Sequence, residues 1–483
     1  MGVTVARWEE RFLLFFLISL LFLAVTKGYG DNGPTGNPGS WNDQSRFSTI
    51  EALVEQHTFA IENTAWGWWT GDKVFAGEHF YSTKPPLLSV IGAGVYWPLH
   101  QFFGLSYSNG PQAPFIYRFV TFLLIGLPLA AAGTLFYDTL QILGLSTRWR
   151  LVGTIGFVLG SLYLPYTAIF QNHTVAGIAG LYSFILFMRT SRGVGNRALN
   201  LGLAGMMVGI SMATDIVGGT PFAAAAIAWV IASIRLKTSN WVSDLGLLLA
   251  GLLLPVGIHF ACNYAITGNF KPIYAMAANY KLTNVKGLYG EVLERKSYLA
   301  TLLDPYRWRY IVNSLVGIRG IFLYTPTLLF GFYMGWRLGP MGWATLLRVD
   351  AESITAVLLG WWTRVFLVIT TLTWIYLLVR TENYGGSSYG SRYFIPPMSV
   401  LLFFAALVYS DLGSLKARGW YAEALRVSLV FAVLGLFFPW GVIDVGGGDL
   451  FTQAPSNFSA VANLKAATET KLVDLYTQLG LVQ

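Results

Sequence analysis

SWNDQSRFSTIEALVEQHTFAIENTAWGWWTGDKVFAGEHFYSTKPPLLSV, residues 40–90, is the polar interruption around which the rest of the chain is read. It carries Asp43, Arg46, Asp72, Lys73, His79, Tyr81 and Lys84, a density of acids and bases that no other short stretch matches, in a chain that is otherwise mostly apolar. Of 483 residues, 54% are hydrophobic and 12% charged, against about 25% charged in an ordinary soluble domain; mean hydropathy is +0.53. The chain therefore reads as an all-α polytopic membrane protein. Its apolar stretches recur along almost the whole length, which argues for one bundle with extramembrane insertions rather than several soluble domains. A single cysteine, Cys262, cannot pair within the chain and carries no information about redox compartment. The net charge of +8 reads as topogenic and not as nucleic-acid binding.

A window of about 20 residues per spanning helix gives eleven candidate spans, near 12–27, 114–142, 151–168, 174–188, 199–213, 221–234, 245–262, 322–335, 361–379, 394–410 and 424–440. The first, FLLFFLISLLFLAV behind Arg7 and Arg11, has the charged flank of a signal peptide but no small-residue cleavage site after it, and is read as an uncleaved span. With the N-terminus in the cytoplasm, the cytoplasmic segments hold fourteen Lys and Arg, while the short loops opposite hold only Arg380 and Arg392. That asymmetry sets the expected topology. A first loop, 28–113, a second loop, 263–321, and a tail from 441 fall outside the cytoplasm, so the chain divides into a membrane module, 1–440, and a short tail, 441–483.

Within the first loop, Phe47, Ile50, Leu53 and Val54 recur at helical spacing, with Asp43 or Ser45 expected as the cap before them. Asp43 is then either a plain N-cap or a carboxylate poised at a helix N-terminus. Residues 85–103, interrupted by prolines and glycines, read as an aromatic helix lying on the membrane surface. Asp72 and Lys73 follow Gly71 and fit a turn with a solvated ion pair as well as a functional pair. His79 also fits an ordinary loop histidine, and Lys84, ahead of two prolines, a snorkelling anchor. Gln171-Asn172-His173 and Thr214-Asp215 end spans on the same expected face. Arg319 lies at the edge of the Tyr-rich, basic second loop and Arg392 just ahead of a span. The tail carries a short amphipathic stretch near 458–479.

One anchor, a large outer loop with Asp43-Gln44-Ser45-Arg46-Phe47, a later Tyr81-Ser82-Thr83-Lys84-Pro85-Pro86 and a surface helix together resemble the GT-C glycosyltransferases, integral-membrane enzymes that use lipid-phosphate-linked sugars. Among these the chain is most similar to the protein O-mannosyltransferase-like family 39, which includes the transferases that add aminoarabinose to lipid A. The resemblance implies a GT-C bundle with amphipathic helices in its first outer loop. It also implies a catalytic base at Asp43 and a basic residue, Lys84, near the donor phosphate. Gln44 stands where many relatives have Glu, and Thr83 where some carry an acid. A divalent metal is thus neither required nor supported by the sequence.

The chemistry implied is consistent with these residues. A polyprenyl-phosphate leaving group needs a membrane-level groove with cations at its mouth, and Arg46, Lys73, Lys84, Arg319 and Arg392, with His79 and Tyr81 beside them, are the expected contacts. The acceptor hydroxyl of a lipid, glycan or protein must lose a proton as it attacks, so one carboxylate is the minimum equipment, with Asp43 first and Asp72 second. The expectation is an inverting glycosyltransferase in a bacterial-type inner membrane. A transporter or lipid flippase is the alternative; it would be expected to carry ionisable residues inside its spans or broken helices in repeated halves, and the sequence offers neither.

Overall fold

The computed structural model describes residues 8–26, 40–238, 241–273, 305–317, 319–381, 388–437 and 439. The tail from 441 and most of the second loop lie outside these residues.

After α1 (Trp8–Val25), the first loop folds into α2 (Trp41–Glu55), a two-stranded hairpin of β1 (Lys73–Ala76) and β2 (His79–Ser82), and α3 (Pro86–Phe103). Then come α4 (Ala113–Thr121) and α5 (Leu127–Ile142), joined through a π-helical turn at Phe122–Gly126, followed by α6 (Thr147–Val158), α7 (Tyr163–Thr167), α8 (Asn172–Ser191), α9 (Arg197–Thr214), α10 (Ile216–Arg235) and α11 (Trp241–Thr267). The second half holds α12 (Pro305–Leu315), α13 (Ile321–Tyr324), α14 (Thr327–Arg337), α15 (Pro340–Leu347), α16 (Ile354–Arg380), α17 (Ile395–Ala406) and α18 (Leu415–Phe437).

Seven helical runs among the described residues are long and apolar enough to cross a membrane: Ala113–Ile142, Asn172–Ser191, Ile216–Arg235, Trp241–Thr267, Ile354–Arg380, Arg392–Tyr409 and Leu415–Phe437. The protein is an integral membrane protein. Seven of the eleven expected spans overlap these runs; those near 12–27 and 199–213 overlap the 18-residue helices α1 and α9, and the other two are broken. The stretch 151–168 divides into α6 and α7, because the Ser161 hydroxyl donates back to Phe157 O at 2.7 Å and accepts from Tyr163 N at 3.2 Å, turning the chain between them. The stretch 322–335 divides at Thr325-Pro326, where proline has no N–H to continue the ladder.

Arg392–Tyr409 is the buried axis of the bundle. Small residues let α8 approach it: Ser399 Oγ donates to Gly177 O at 2.8 Å, and a Cβ on Gly177 would stand 2.8 Å from Pro396 O. Packing of this kind, with little side chain between backbones, holds helices together where lipid supplies no hydrophobic contrast. Arg364 of α16 lays its guanidinium over the Trp336 ring at 4.4 Å.

The hairpin turns on Gly77 and Glu78, both at positive φ (+55° and +77°), as a two-residue turn matched to strand twist requires. Its register pairs Lys73 with Ser82 and Ala76 with His79. α3 runs unbroken through Pro98, buries Leu87, Leu88, Gly92, Ala93 and Tyr96, and leaves Ile91, Trp97, Phe102 and Phe103 exposed.

Candidate active site

α2 begins earlier than expected. Its N-cap is Ser40, whose Oγ accepts from Asn42 N at 3.1 Å, so neither Asp43 nor Ser45 is the cap. Asp43 lies in the first helical turn, where the unpaired N–H groups favour an anion. It is 1% exposed, and its Oδ2 accepts from the Tyr117 hydroxyl of α4 at 3.1 Å. Phe47, one turn on, packs its ring against Tyr117, Tyr107 and Phe170 at 4.6–5.4 Å, which locks the helix orientation.

Arg46 is fully buried. Its Nε donates to Asn42 Oδ1 at 3.2 Å and its Nη2 to Asn172 Oδ1 at 2.7 Å, while Nη1 is buried with no hydrogen-bond partner among the described residues. Burial pushes its pKa down to about 10, with Asp43 opposing and Arg392 adding to the depression. Asn172 is fixed in turn by its own amide donating to Thr214 O at 2.9 Å. Next to it, His173 Nδ1 and Asp215 Oδ2 lie 2.5 Å apart, and Asp215 Oδ1 also caps α10 by accepting from Gly218 N at 3.0 Å. Tyr393 sets its ring edge-on to His173 at 5.5 Å.

The hairpin docks on α2 through Ser45, whose hydroxyl reaches Asp72 O at 2.7 Å and Ser82 Oγ at 2.6 Å. This contact brings Asp72 and Lys84 together: their side chains pair at 2.7 Å and are each about one-sixth exposed. The expected Asp72–Lys73 ion pair is therefore replaced by Asp72–Lys84. Burial alone would raise the Asp72 carboxyl, but Lys84 beside it outweighs that and holds it below the usual range; Lys84 itself is pushed down, chiefly by burial, against the pull of Asp72. Lys73 is a strand residue whose ammonium donates to Gly67 O at 3.0 Å and Trp68 O at 2.7 Å. It braces the loop before the hairpin. Trp41 lies against Gly71, where a Cβ would come within 2.6 Å of its ring.

Arg392, at the turn before α17, acts electrostatically on Arg46, Asp72, Lys84 and His173 alike. One neighbourhood thus gathers Asp43, Arg46, Asp72, Lys84 and Arg392 of the expected residues. His79 stands apart on the hairpin, pairing its Nδ1 with Glu62 at 2.5 Å and half exposed, with Tyr81 edge-on to it at 6.3 Å. Arg319 donates to Ser388 O at 3.3 Å. Asn172, His173 and Asp215 join the cluster although they were visible in the sequence only as polar span ends. Tyr117 gave no signal, because a tyrosine in an apolar helix looks like any interfacial aromatic.

A divalent cation finds no ready donor set: no group of three or more His, Cys, Asp or Glu among the described residues could hold one, and Asp72 and Asp215 are engaged by Lys84 and His173.

No known family profile matches the chain, and no curated protein matches it in sequence. Its fold is similar to that of a solved oligosaccharyltransferase. The chain is similar in structure to the Archaeoglobus fulgidus oligosaccharyltransferase in its apo form, with a TM-score of 0.52 and 12% identity, over 90% of this chain and 57% of that one. It is similar also to the same enzyme tethered to an acceptor peptide containing the NVT sequon, with a TM-score of 0.53 and 13% identity, over 90% and 56%. The chain therefore spans somewhat over half the length of these neighbours.

Proposed function

We propose that this protein is a glycosyltransferase that moves a sugar from a polyprenyl-phosphate donor to an acceptor hydroxyl, with inversion, at the extracytoplasmic face of a bacterial-type inner membrane. The observation that carries the reading is the convergence, on a fold similar to that of an oligosaccharyltransferase, of a buried carboxylate, Asp43, with three cations, Arg46, Lys84 and Arg392, at one end of the bundle. The cations suit an anionic leaving group. Asp43 takes the base role because the Asp72 carboxylate is tied to the Lys84 ammonium, which holds its proton affinity below the usual range.

In this mechanism the acceptor O–H attacks the anomeric carbon and gives its proton to Asp43. The bond from that carbon to the phosphate oxygen breaks, and the phosphate leaves with the electron pair toward Lys84, Arg46 and Arg392. Tyr117 holds the carboxylate in place, and Asp72 orients the Lys84 ammonium. Arg319, Lys73, His79 and Tyr81 fall outside this core set; each is engaged elsewhere in the loop network. The oligosaccharyltransferase neighbour tethered to an acceptor peptide supports a macromolecular acceptor, and lipid, glycan and protein acceptors remain in the same class. The proposed orientation is supported by the basic residues Arg150, Arg192 and Arg348, which collect at the far end of the bundle.

Transfer from defined polyprenyl-phosphate sugars in reconstituted membranes tests the reading. Asp43→Asn is expected to lower the rate by about 10²–10⁴-fold, and Lys84→Ala by about 10–100-fold, as for loss of one charged hydrogen bond. Full activity in Asp43→Asn removes the base assignment. Absence of transfer from every lipid-linked sugar, with flux of the lipid across the membrane intact, would support the flippase instead.

A further inference from the structure

We infer that the chain holds a second anion site, for a phosphate-bearing ligand, in a polar cavity at the opposite end of the bundle from the candidate active site. α8 connects the two: Asn172 and His173 lie in its first turn and Arg192 follows its last. Its 20 residues, at a rise of 1.5 Å each, separate the two ends by about 30 Å.

The cavity has a volume of about 740 Å³ and lies where four helix connections meet, those after α5, α8, α15 and α17. Three arginines line it, Arg150, Arg192 and Arg348, against one carboxylate, Asp411, which is exposed. Arg150 is built in rather than snorkelling. It is 5% exposed, its Nη1 donates to Gln141 Oε1 at 2.5 Å and its Nη2 to Thr147 Oγ1 at 2.8 Å, and its guanidinium covers the Tyr137 ring at 4.2 Å. Its Nε is buried with no hydrogen-bond partner among the described residues. Arg192 Nη1 donates to Ile142 O at 3.1 Å, a neutral acceptor. The wall is stiff, since Trp149 stacks on Tyr409 at 3.9 Å and 7°.

Arg150 and Arg192 donate to neutral acceptors in this concave space, and Asp138, the carboxylate that acts electrostatically on Arg150, is already paired with Arg11 at 3.0 Å. A buried charge is costly unless it is paired, and Asp411 cannot match three guanidinium groups. A phosphate supplies the missing charge and accepts from a planar fork in two-pronged fashion, which is the geometry arginine favours. The size of the cavity exceeds that of a bare phosphate, so the ligand carries further polar groups. Either a lipid headgroup or a soluble phosphate ester meets this description.

The test uses the full chain in phosphatidylcholine nanodiscs. Inorganic pyrophosphate binding is measured by calorimetry, and retention of added phosphatidic acid by native mass spectrometry. Arg192→Gln and the peripheral Arg348→Gln are expected to weaken one of the two by about tenfold or more, as for loss of a charged hydrogen bond. Lys416→Gln, on α18 outside the cavity, should leave it unchanged. An effect on pyrophosphate assigns a soluble ligand; an effect on phosphatidic acid alone assigns a headgroup. The inference is overturned if neither probe binds, if Arg192→Gln and Arg348→Gln leave the binding of both probes unchanged, or if Lys416→Gln reduces it as much as Arg192→Gln.

Discussion

α2 and α11 invert the rule that holds for soluble proteins. α2, WNDQSRFSTIEALVE, is rich in polar groups, yet 12 of its 15 residues are buried. α11 is almost wholly apolar, yet only 6 of its 27 residues are, and these include Asp244, His259 and Asn263. Leu249, Leu253, Leu254 and Ile258 point outward, while Asp244 turns in to take Arg197 Nε at 2.9 Å and Nη2 at 2.5 Å. In a bilayer the exterior is hydrocarbon, so apolar side chains are satisfied outside and polar groups must find partners inside. α2 is buried because its polar groups meet others there, in the hairpin, α4 and α8.

Four substitutions sharpen or break this contrast. Removing the buried cation with Arg46→Met leaves Asn42 and Asn172 without their donor and Asp43, Asp72 and Asp215 without its charge, and is expected to cost about 3–5 kcal/mol, read as the unfolding midpoint in detergent or bicelles. A loss no larger than that of an exposed site would mean α2 is not held by its polar face. Gly71→Ala drives a Cβ into the Trp41 ring and should cost about 1–3 kcal/mol as overpacking, with transfer activity falling because the Asp72–Lys84 pair sits on the same loop.

Glu51 gives a pH test on the same helix. Its carboxylate accepts from Ala65 N with both oxygens, at 3.1 and 3.0 Å; burial pushes its pKa up to about 7, with Glu55 adding and the Ala65 N–H opposing. An acid with a raised folded pKa is ionised first in the unfolded chain. Its contribution to stability is therefore fully present below the ordinary glutamate value near 4.5, and falls as pH rises until it levels off above about 7. Thermal midpoints of Glu51→Gln should exceed those of wild type at pH 8, with the gap narrowing toward pH 5. A gap that widens on acidification contradicts the buried, proton-binding state of this residue. At the small end, Leu253→Ala on the outward face of α11 should change stability by no more than about 0.5 kcal/mol; a loss of several kcal/mol would show that this face is covered by protein.

Much of the site was legible because its ingredients share one stretch. Asp43, Arg46, Asp72 and Lys84 stand out in residues 40–90 as charges in an apolar chain, and the structure brings them together. The pairing was not legible. Asp72 has Lys73 next to it in sequence, but the Lys73 ammonium turns to Gly67 O and Trp68 O, and the partner is Lys84, delivered across the hairpin by Ser45 and Ser82. The cap was misplaced for a related reason: the helical period marks Phe47, Ile50 and Val54, but a polar first turn has no period, and Ser40 lies three residues before Asp43. Tyr117, Asn172, His173 and Asp215 come from distant helices, and only the first loop folding down onto α4 and α8 makes them neighbours of α2.

By itself the sequence determined that this is a helical membrane protein and where its acids and bases concentrate. Apolar length and charge density are local properties that the bilayer reads directly. Which acid meets which base, which expected spans are broken, and which helix faces lipid were decided only by the tertiary structure. Those outcomes depend on partners far apart in the chain, and a buried charge tolerates only the partner that packing supplies.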